Sequence, residues 1–336
     1  VTMRRAAEKL AGWVGRKPDS AGSGVLAAER APLAQPADSP MVVSPRMWPW
    51  FTRALDRRFN RHLLASQLRA LIAALPPPVV AITTIPITAD LPGVLDVAKW
   101  VYYCVDDFSQ WPGLDGATMA QMDDSMIAAA NELVAVSEQL RSHIHARGRD
   151  SSLLTHGVHL SHWLNADTAA TASSTLAGIS GPIALFWGVI DGRMDVEWLA
   201  RLATCEPKLS IVLAGPMQNP DPTLLGINGL HLLGPVPFAE LPTLAARADV
   251  LVMPYIDAPV TRAMQPLKLK EYLATGRPVV VRDLPATHEW ADCMDVANDA
   301  EQFVAAVRAR LDGKLTDAQV DARRRLANES WSAKAR

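Results

Sequence analysis

Short apolar runs alternate with helical patterns along most of this chain, and that alternation admits few folds. In the carboxyl-terminal half the runs are Ile183 to Trp187, Leu209 to Ala214, Leu230 to Leu233, Val250 to Met253 and Pro278 to Val281. Between them lie patterns with helical spacing at Asp195 to Cys205, Ala239 to Arg247, Leu267 to Thr275 and Ala300 to Leu311. Continuous Val, Ile and Leu suit strands covered on both faces, and strands that alternate with helices imply a parallel, doubly wound sheet.

The first half repeats the theme less regularly. Apolar runs occur at Val79 to Ile85, Trp100 to Val105, Leu133 to Val136 and Leu153 to Thr155, with helical patterns at about 115 to 130 and 138 to 146. A longer helix precedes them, in which Phe59, Leu63, Leu64, Leu68, Leu71, Ile72 and Leu75 keep a helical spacing until Pro76-Pro77-Pro78 stops it. At 336 residues, 49% hydrophobic and 20% charged, the chain can bury two cores of ordinary globular composition. Asn165 to Gly181, rich in Ala, Thr, Ser and Gly, reads as a linker between them.

Several classes are excluded. A formal charge of −2 provides no global field for nucleic acid. Cys104, Cys205 and Cys293 stand far apart in or beside apolar runs, which argues against a disulfide framework or a zinc site and for a reducing compartment. No apolar run reaches the length of about 18 residues that a spanning helix needs, and a signal-peptide core is absent from the amino terminus. Residues 1 to 17 place Arg4, Arg5, Lys9, Arg16 and Lys17 around Leu10, Trp13 and Val14. Two readings stand, a frayed surface helix and a weak peripheral contact with anionic lipid. Residues 18 to 40 read as loop or disorder.

The most informative stretch is Gln265-Pro266-Leu267-Lys268-Leu269-Lys270-Glu271-Tyr272-Leu273-Ala274-Thr275-Gly276-Arg277-Pro278-Val279-Val280-Val281. Pro266 suits a helix start, Gly276 suits its C′ position, and Val279 begins the next strand. The helix would offer unpaired N–H groups, with Lys268 beside them, to an anion at the carboxyl edge of the sheet. Lys270 is expected to face solvent. Arg193 follows the run Phe186-Trp187-Gly188, and Gly215 and Val236 lie just past two neighbouring strands. Arg193 could equally pair with Asp191 or Asp195. Asp106 and Asp107 end an amino-terminal strand and serve either as an acceptor contact or as a helix cap. His156 and His159 read as turn residues; a metal cluster with His162 is the weaker alternative.

The stretch Pro266 to Val280 resembles the donor-site segment of retaining, nucleotide-sugar-dependent glycosyltransferases of the GT-B fold, group 1 or family 4-like. Within these, the branch that builds exopolysaccharides or teichuronic-acid-type polymers is the most similar. The resemblance runs from about Met41 to the carboxyl terminus and implies an α/β protein with two Rossmann-like parallel-sheet domains facing a cleft. It divides the chain into a poorly ordered segment at 1–40, an acceptor-side domain at 41–164, a linker at 165–181, a donor domain at 182–316 and a cross-over helix at 317–336 anchored by Trp331. The amino-terminal domain looks incomplete, because no strand, Gly-rich loop and helix precede Met41; Gly22-Ser23-Gly24 does not qualify.

The resemblance implies transfer of a hexose from a UDP- or GDP-sugar to a polysaccharide or lipid-linked acceptor, with retention, in the cytoplasm or at the inner membrane face, without metal or cofactor. Lys268 and Arg193 would be the catalytic cations. Gly188, Arg193, Gly215, Val236, Leu267, Lys268 and Glu271 would bind the donor, with Glu271 accepting both ribose hydroxyls. An earlier glutamate of the family's pair is absent, since its position holds Ala263; Asp257 lies too far upstream to replace it directly. A nucleotide-sugar binding protein without turnover is the alternative. An NAD-dependent oxidoreductase is not supported, as no Gly-x-Gly-x-x-Gly follows a strand.

Overall fold

The computed structural model describes residues 40–111, 113–164, 176 and 178–336. The basic segment at 1 to 17, the stretch 18 to 39 and most of the expected linker lie outside the described residues. Two compact units are present. Of the described residues, one comprises those through Cys104 with Trp111–Val134 and His143–Ser151; the other comprises Val105–Gln110, Ala135–Ser142 and those within Ser152–Arg336.

The first unit opens with helix α1, Ala54–Ala73. Its inward face differs from the one that apolar spacing suggests. Phe59 is 43% exposed, and the neighbouring Asn60 is buried instead. Asn60 explains the rotation: its Oδ1 accepts from Trp48 N–H at 2.6 Å, and its Nδ2 donates to the carbonyls of Trp48 and Trp50 at 3.2 and 2.9 Å. Turning Asn60 outward would leave three backbone groups unpaired, which holds the amide on the inward face.

Strands β1 (Val80–Thr83), β2 (Lys99–Cys104), β3 (Glu132–Ala135) and β4 (Ser152–Leu153) follow in that order across a sheet, with β1 parallel to β2. Trp100, Tyr102 and Cys104 alternate inward on β2. Helix α2, Gly116–Ala129, covers them with Met119, Met122, Met126 and Ile127, after Asp115 has capped its start through Thr118 N–H. Tyr102 donates its hydroxyl to Asp123 Oδ1 at 2.6 Å, while Asp123 Oδ2 meets His143 Nε2 at 2.7 Å. His143 belongs to α3, Glu138–His145.

In the second unit α4 (Leu160–Leu164) is followed by a six-stranded sheet of β5 (Ile183–Trp187), β7 (Ser210–Ala214), β9 (Leu230–Gly234), β10 (Val250–Met253), β11 (Val279–Arg282) and β12 (Asp295–Ala297). A short parallel ribbon, β6 (Ile190–Asp191) with β8 (Met217–Gln218), stands beside it. The sheet order is β12-β11-β10-β5-β7-β9 and every pair is parallel. All residues of β5, β7 and β10 are buried, as a sheet with helices on both faces requires. Those helices include α5 (Val196–Cys205), α6 (Leu241–Arg247), α7 (Pro259–Ala263), α8 (Leu267–Ala274) and α9 (Ala300–Ala309).

The tail is helical but broken into α10 (Asp317–Ala322), a 3₁₀ segment at Arg323–Glu329 and α11 (Trp331–Lys334). Arg323 stands at the break. It is buried and donates to the carbonyls of Cys293 and Arg277 at 2.9 and 2.8 Å, closing the chain onto the end of α8. Trp331 remains 46% exposed and lies flat on Gly157, where a Cβ would come within 2.6 Å of its ring. Among the described residues no helix is long and apolar enough to cross a membrane.

Candidate functional site

Read along the chain, the strand order of the larger sheet reverses between β5 and β10, so consecutive crossovers leave on opposite sides there. In open α/β sheets such a reversal opens a crevice at the carboxyl ends of the two strands. Here those ends are Trp187-Gly188 and Met253-Pro254-Tyr255. Helix α8 begins beside them, and Gly276 (φ 75°) ends it at the C′ position.

Gly188 and Gly215 are glycines because backbone and ammonium crowd together at this edge. Gly188 has φ 138°, and a Cβ on it would overlap Lys268 Nζ outright while lying 2.9 Å from Lys268 Cε. Gly215 has φ 150°, and its Cβ would strike the Gly188 carbonyl. The ends of β5, β7 and β9 are laced by Gly188 N–H to Ala214 O at 2.9 Å and Gly215 N–H to Gly234 O at 2.7 Å.

Lys268 therefore lies over the end of β5. Its Nζ donates to the Tyr255 hydroxyl at 2.7 Å and stands 4.4 Å from the Phe186 ring centroid and 5.4 Å from that of Tyr255. The face of Phe186 and the hydroxyl of Tyr255 hold the ammonium, which has further N–H donors for a ligand. The N–H groups of Leu267 and Lys268 precede the first i→i−4 bond of α8, so the helix dipole adds partial positive charge at the same place. Leu267 itself is 44% exposed.

Glu271 is one turn further along α8. Trp187 Nε1 donates to its Oε2 at 3.3 Å, and Oε1 has no hydrogen-bond partner among the described residues. Burial raises the Glu271 pKa, opposed by the Trp187 hydrogen bond and by Lys268 and His162. Trp187 is itself fixed: its N–H donates to the Tyr272 hydroxyl at 2.9 Å, and Tyr272 donates to its carbonyl at 3.2 Å. The Trp187 indole stacks on Trp163 at 5.3 Å, and His162 stacks on Phe238 at 4.2 Å while meeting the Phe238 carbonyl at 3.0 Å.

Arg193 takes the pairing that competes with an anion role. Its Nε and Nη2 donate to Asp191 at 2.9 and 2.8 Å. Burial works against its charge, but Asp191, Tyr255 and Asp106 raise its pKa, and its guanidinium lies 5.8 Å from the Tyr255 ring centroid. Tyr255 thus adjoins both cations. Asp107 acts as a cap, accepting from Ser109 N–H and Oγ–H at 3.1 and 2.5 Å at the short turn Phe108–Gln110. Asp106 Oδ1 accepts from Asp107 N–H at 2.9 Å. Val236 sits two residues beyond β9, partly buried against the core. The carboxylate of Asp257, upstream of Ala263, is engaged by Arg262 at 2.5 and 2.7 Å.

Lys270 does not face solvent as its position on the helix suggested. It is 8% exposed, pairs with Glu329, and donates to His156 O at 2.8 Å and Thr155 Oγ1 at 3.2 Å. The tail covers the face of α8 that a local pattern leaves open. Burial, Lys270 and Lys334 together lower the His156 pKa to about 4. Tyr255, Trp163 and Phe238 carried no signal in the sequence, Trp187 entered only within the run ahead of Gly188, and His162 only as a possible metal ligand.

An open groove of about 1020 Å³ runs along α5 and residues 219–229, with Glu197, Thr204 and Asp221 among its walls. Neither Lys268 nor Glu271 lines it. Its two carboxylates repel a diphosphate, so convergent charge rather than volume marks the candidate site.

The sequence from 181 to 312 matches the family described as Glycosyl transferases group 1. Over 127 residues the chain is 33% identical to TuaH of Bacillus subtilis (strain 168), named as a teichuronic acid biosynthesis glycosyltransferase. That match covers 37% of this chain and 32% of the relative, so it spans about a third of TuaH. Among solved structures, sucrose-phosphate synthase from Thermosynechococcus elongatus aligns with a TM-score of 0.64 at 15% identity, over 89% of this chain and 84% of that one. Anabaena Alr3699/HepE, solved with UDP and glucose, aligns at 0.59 and 13% identity over 80% and 79%. Residues 181–312 are thus similar to group 1 glycosyl transferases, and the chain has the α/β, parallel-sheet fold of the GT-B glycosyltransferases.

Proposed function

We propose that this chain transfers a hexose from a nucleoside-diphosphate sugar, UDP- or GDP-linked, to a polysaccharide or lipid-linked acceptor with retention. The observation that carries the reading is the placement of Lys268 Nζ over Gly188, between Phe186 and Tyr255, at the start of α8 and at the strand reversal. The TuaH name and the UDP and glucose of HepE support the substrate class.

In this reading the diphosphate lies against Lys268 and the first N–H groups of α8. As the glycosidic bond to phosphate lengthens, negative charge grows on the leaving oxygen, and a fixed ammonium with a helix terminus stabilises it without reorganising. Arg193, beside Tyr255, would reach the diphosphate in this reading only by giving up part of its bidentate pairing with Asp191. Glu271 offers Oε1 to the ribose diol while Trp187 holds Oε2. Gly188 and Gly215 let the ligand approach the strand ends, and Val236 lies near the nucleobase. The charge is met by the protein's own cations, so no metal or cofactor is assigned a step. Asp106 and Asp107 belong to the acceptor side in this assignment. That Cys104, Cys205 and Cys293 form no disulfide agrees with a cytoplasmic setting.

Titration calorimetry with UDP, GDP and their sugars, followed by a donor-hydrolysis and transfer assay, tests the reading. Binding with sugar release or transfer is expected. Absence of binding to any nucleoside diphosphate overturns it; binding with no turnover would retain the donor site and remove the activity.

A further inference from the structure

Helix α1 carries Arg57, Arg58, Arg61 and Arg69 against one acid, Asp56. Ala54, Arg57, Arg58 and Arg61 stand at positions i, i+3, i+4 and i+7, so they share one stripe of the helix. Together with Asp90 they line an open hollow of about 290 Å³. Arg57 is its fixed wall: Nε and Nη2 donate to the two Asp90 oxygens at 2.9 and 2.7 Å, and Nη1 donates to Gln121 Oε1 at 3.2 Å. Arg58 and Arg61 are exposed and make no ion pair or hydrogen bond among the described residues. Asp56 does not offset them, because it lies away from that stripe, where it accepts from Trp48 Nε1 at 3.0 Å. Three guanidinium groups around one carboxylate leave the hollow strongly positive.

Shape and lining decide what can fill it. An α-helix turns about 100° per residue, which sends the exposed Leu55 and Phe59 out on a different flank from the arginines. A bilayer resting on the arginines would therefore leave that apolar pair in water. Single-stranded nucleic acid is poorly matched as well, since its sites interleave cations with aromatic platforms, and none of the described residues that line the hollow is aromatic. The volume lies at the small end of ligand pockets, which run from about 300 to 1,000 Å³. One ring-sized group with an anionic substituent fits, and Ala54, with only a methyl group, leaves that room. Forked guanidinium donors match the paired oxygens of a carboxylate or a phosphate.

We propose that this hollow receives an anionic saccharide, a sugar ring bearing a carboxylate or a phosphate, as one unit of an acceptor chain. Arg58 and Arg61 meet the anion, and Arg57, locked by Asp90, fixes the wall against which it is oriented. That the ligand is a glycan rests on the glycosyl-transfer reading; that it is anionic rests on the arginines alone.

Calorimetric titration of the full chain with hexagalacturonate, with a phosphomannan oligosaccharide and with uncharged dextran tests it. Binding is expected to one or both anionic glycans, whichever carries the matching anion, and not to dextran. The double variant Arg58→Gln with Arg61→Gln should weaken that binding roughly thirtyfold, the loss of two exposed ion pairs at the upper end of their usual strength, and should flatten its salt dependence. Ala54→Leu keeps every charge but fills the hollow, and should weaken binding roughly tenfold. All three positions are exposed, so melting temperature and UDP affinity should stay at the parent's values. Glycan binding by a parent chain that ignores UDP would remove the donor reading and keep this site; UDP binding without glycan binding would do the reverse. A double variant or an Ala54→Leu protein that binds like the parent overturns the proposal, because the contact would then lie elsewhere or be diffuse charge. So does a DNA oligonucleotide that competes as well as hexagalacturonate.

Discussion

Replacing Gly188 by alanine should disable the candidate site through a single methyl group. The Cβ would occupy the volume of Lys268 Nζ and come within 2.9 Å of Lys268 Cε and 3.5 Å of Phe186 Cζ. The backbone and the buried Phe186 cannot yield, so the flexible lysine must leave its place between the rings. Holding alanine at φ 138° costs about 1 to 3 kcal/mol of stability. Displacing the ammonium removes one charged hydrogen bond to the diphosphate, about 1.5 to 3 kcal/mol, or a tenfold to 150-fold loss of UDP affinity. Calorimetric titration with UDP reads the second effect, and a melt below the titration temperature separates it from unfolding. The same substitution in a Lys268→Ala background should change affinity little, because the group that it displaces is already gone. A folded Gly188→Ala protein that binds UDP like the parent would refute the placement of Lys268 at the phosphates.

Further outcomes follow from the same contacts. Glu271→Ala should weaken UDP binding by about 1.5 to 3 kcal/mol, and less for a nucleotide lacking the ribose hydroxyls, as measured by paired titrations. Glu329→Gln should destabilise the fold by about 3 to 5 kcal/mol in denaturant melts, since it strips the shared counter-ion from Lys270 and Lys334, which are 10% and 13% exposed in their side chains. Asn60→Ala should cost about 1 to 3 kcal/mol by leaving backbone groups of Trp48 and Trp50 unpaired. His156, lowered from 6.5 to about 4, favours the folded state when neutral. Its contribution is therefore complete above pH 6.5 and lost as pH falls towards about 4, and His156→Gln should flatten the thermal stability profile in that window.

Much of the sheet was legible because its strands are continuous apolar runs, and such runs need covering on both faces. β5 and β10 fall at the expected residues, and β7, β9 and β11 within one residue. β12 escaped because Asp295-Val296-Ala297 is short and half polar, and the 3₁₀ segment at Pro285–Cys293 because it has no long apolar period. Lys268 and Gly276 could be read locally, from a proline start and a glycine stop. Lys270 could not, because what buries it is Glu329, 59 residues away. Trp187 and Glu271, 84 residues apart, meet only once the sheet order brings β5 beside β10. Phe59 was misplaced for a different reason: apolar spacing has no means of weighing a buried Asn60 that satisfies three backbone groups.

The central claim concerns where a nucleoside diphosphate rests, and a crystal structure of the chain with UDP measures that directly. The account predicts phosphate oxygens within hydrogen-bond distance of Lys268 Nζ and of the first N–H groups of α8, with the ribose hydroxyls on Glu271. UDP lodged instead in the groove between α5 and residues 219–229, with Lys268 still bonded only to Tyr255, would contradict it.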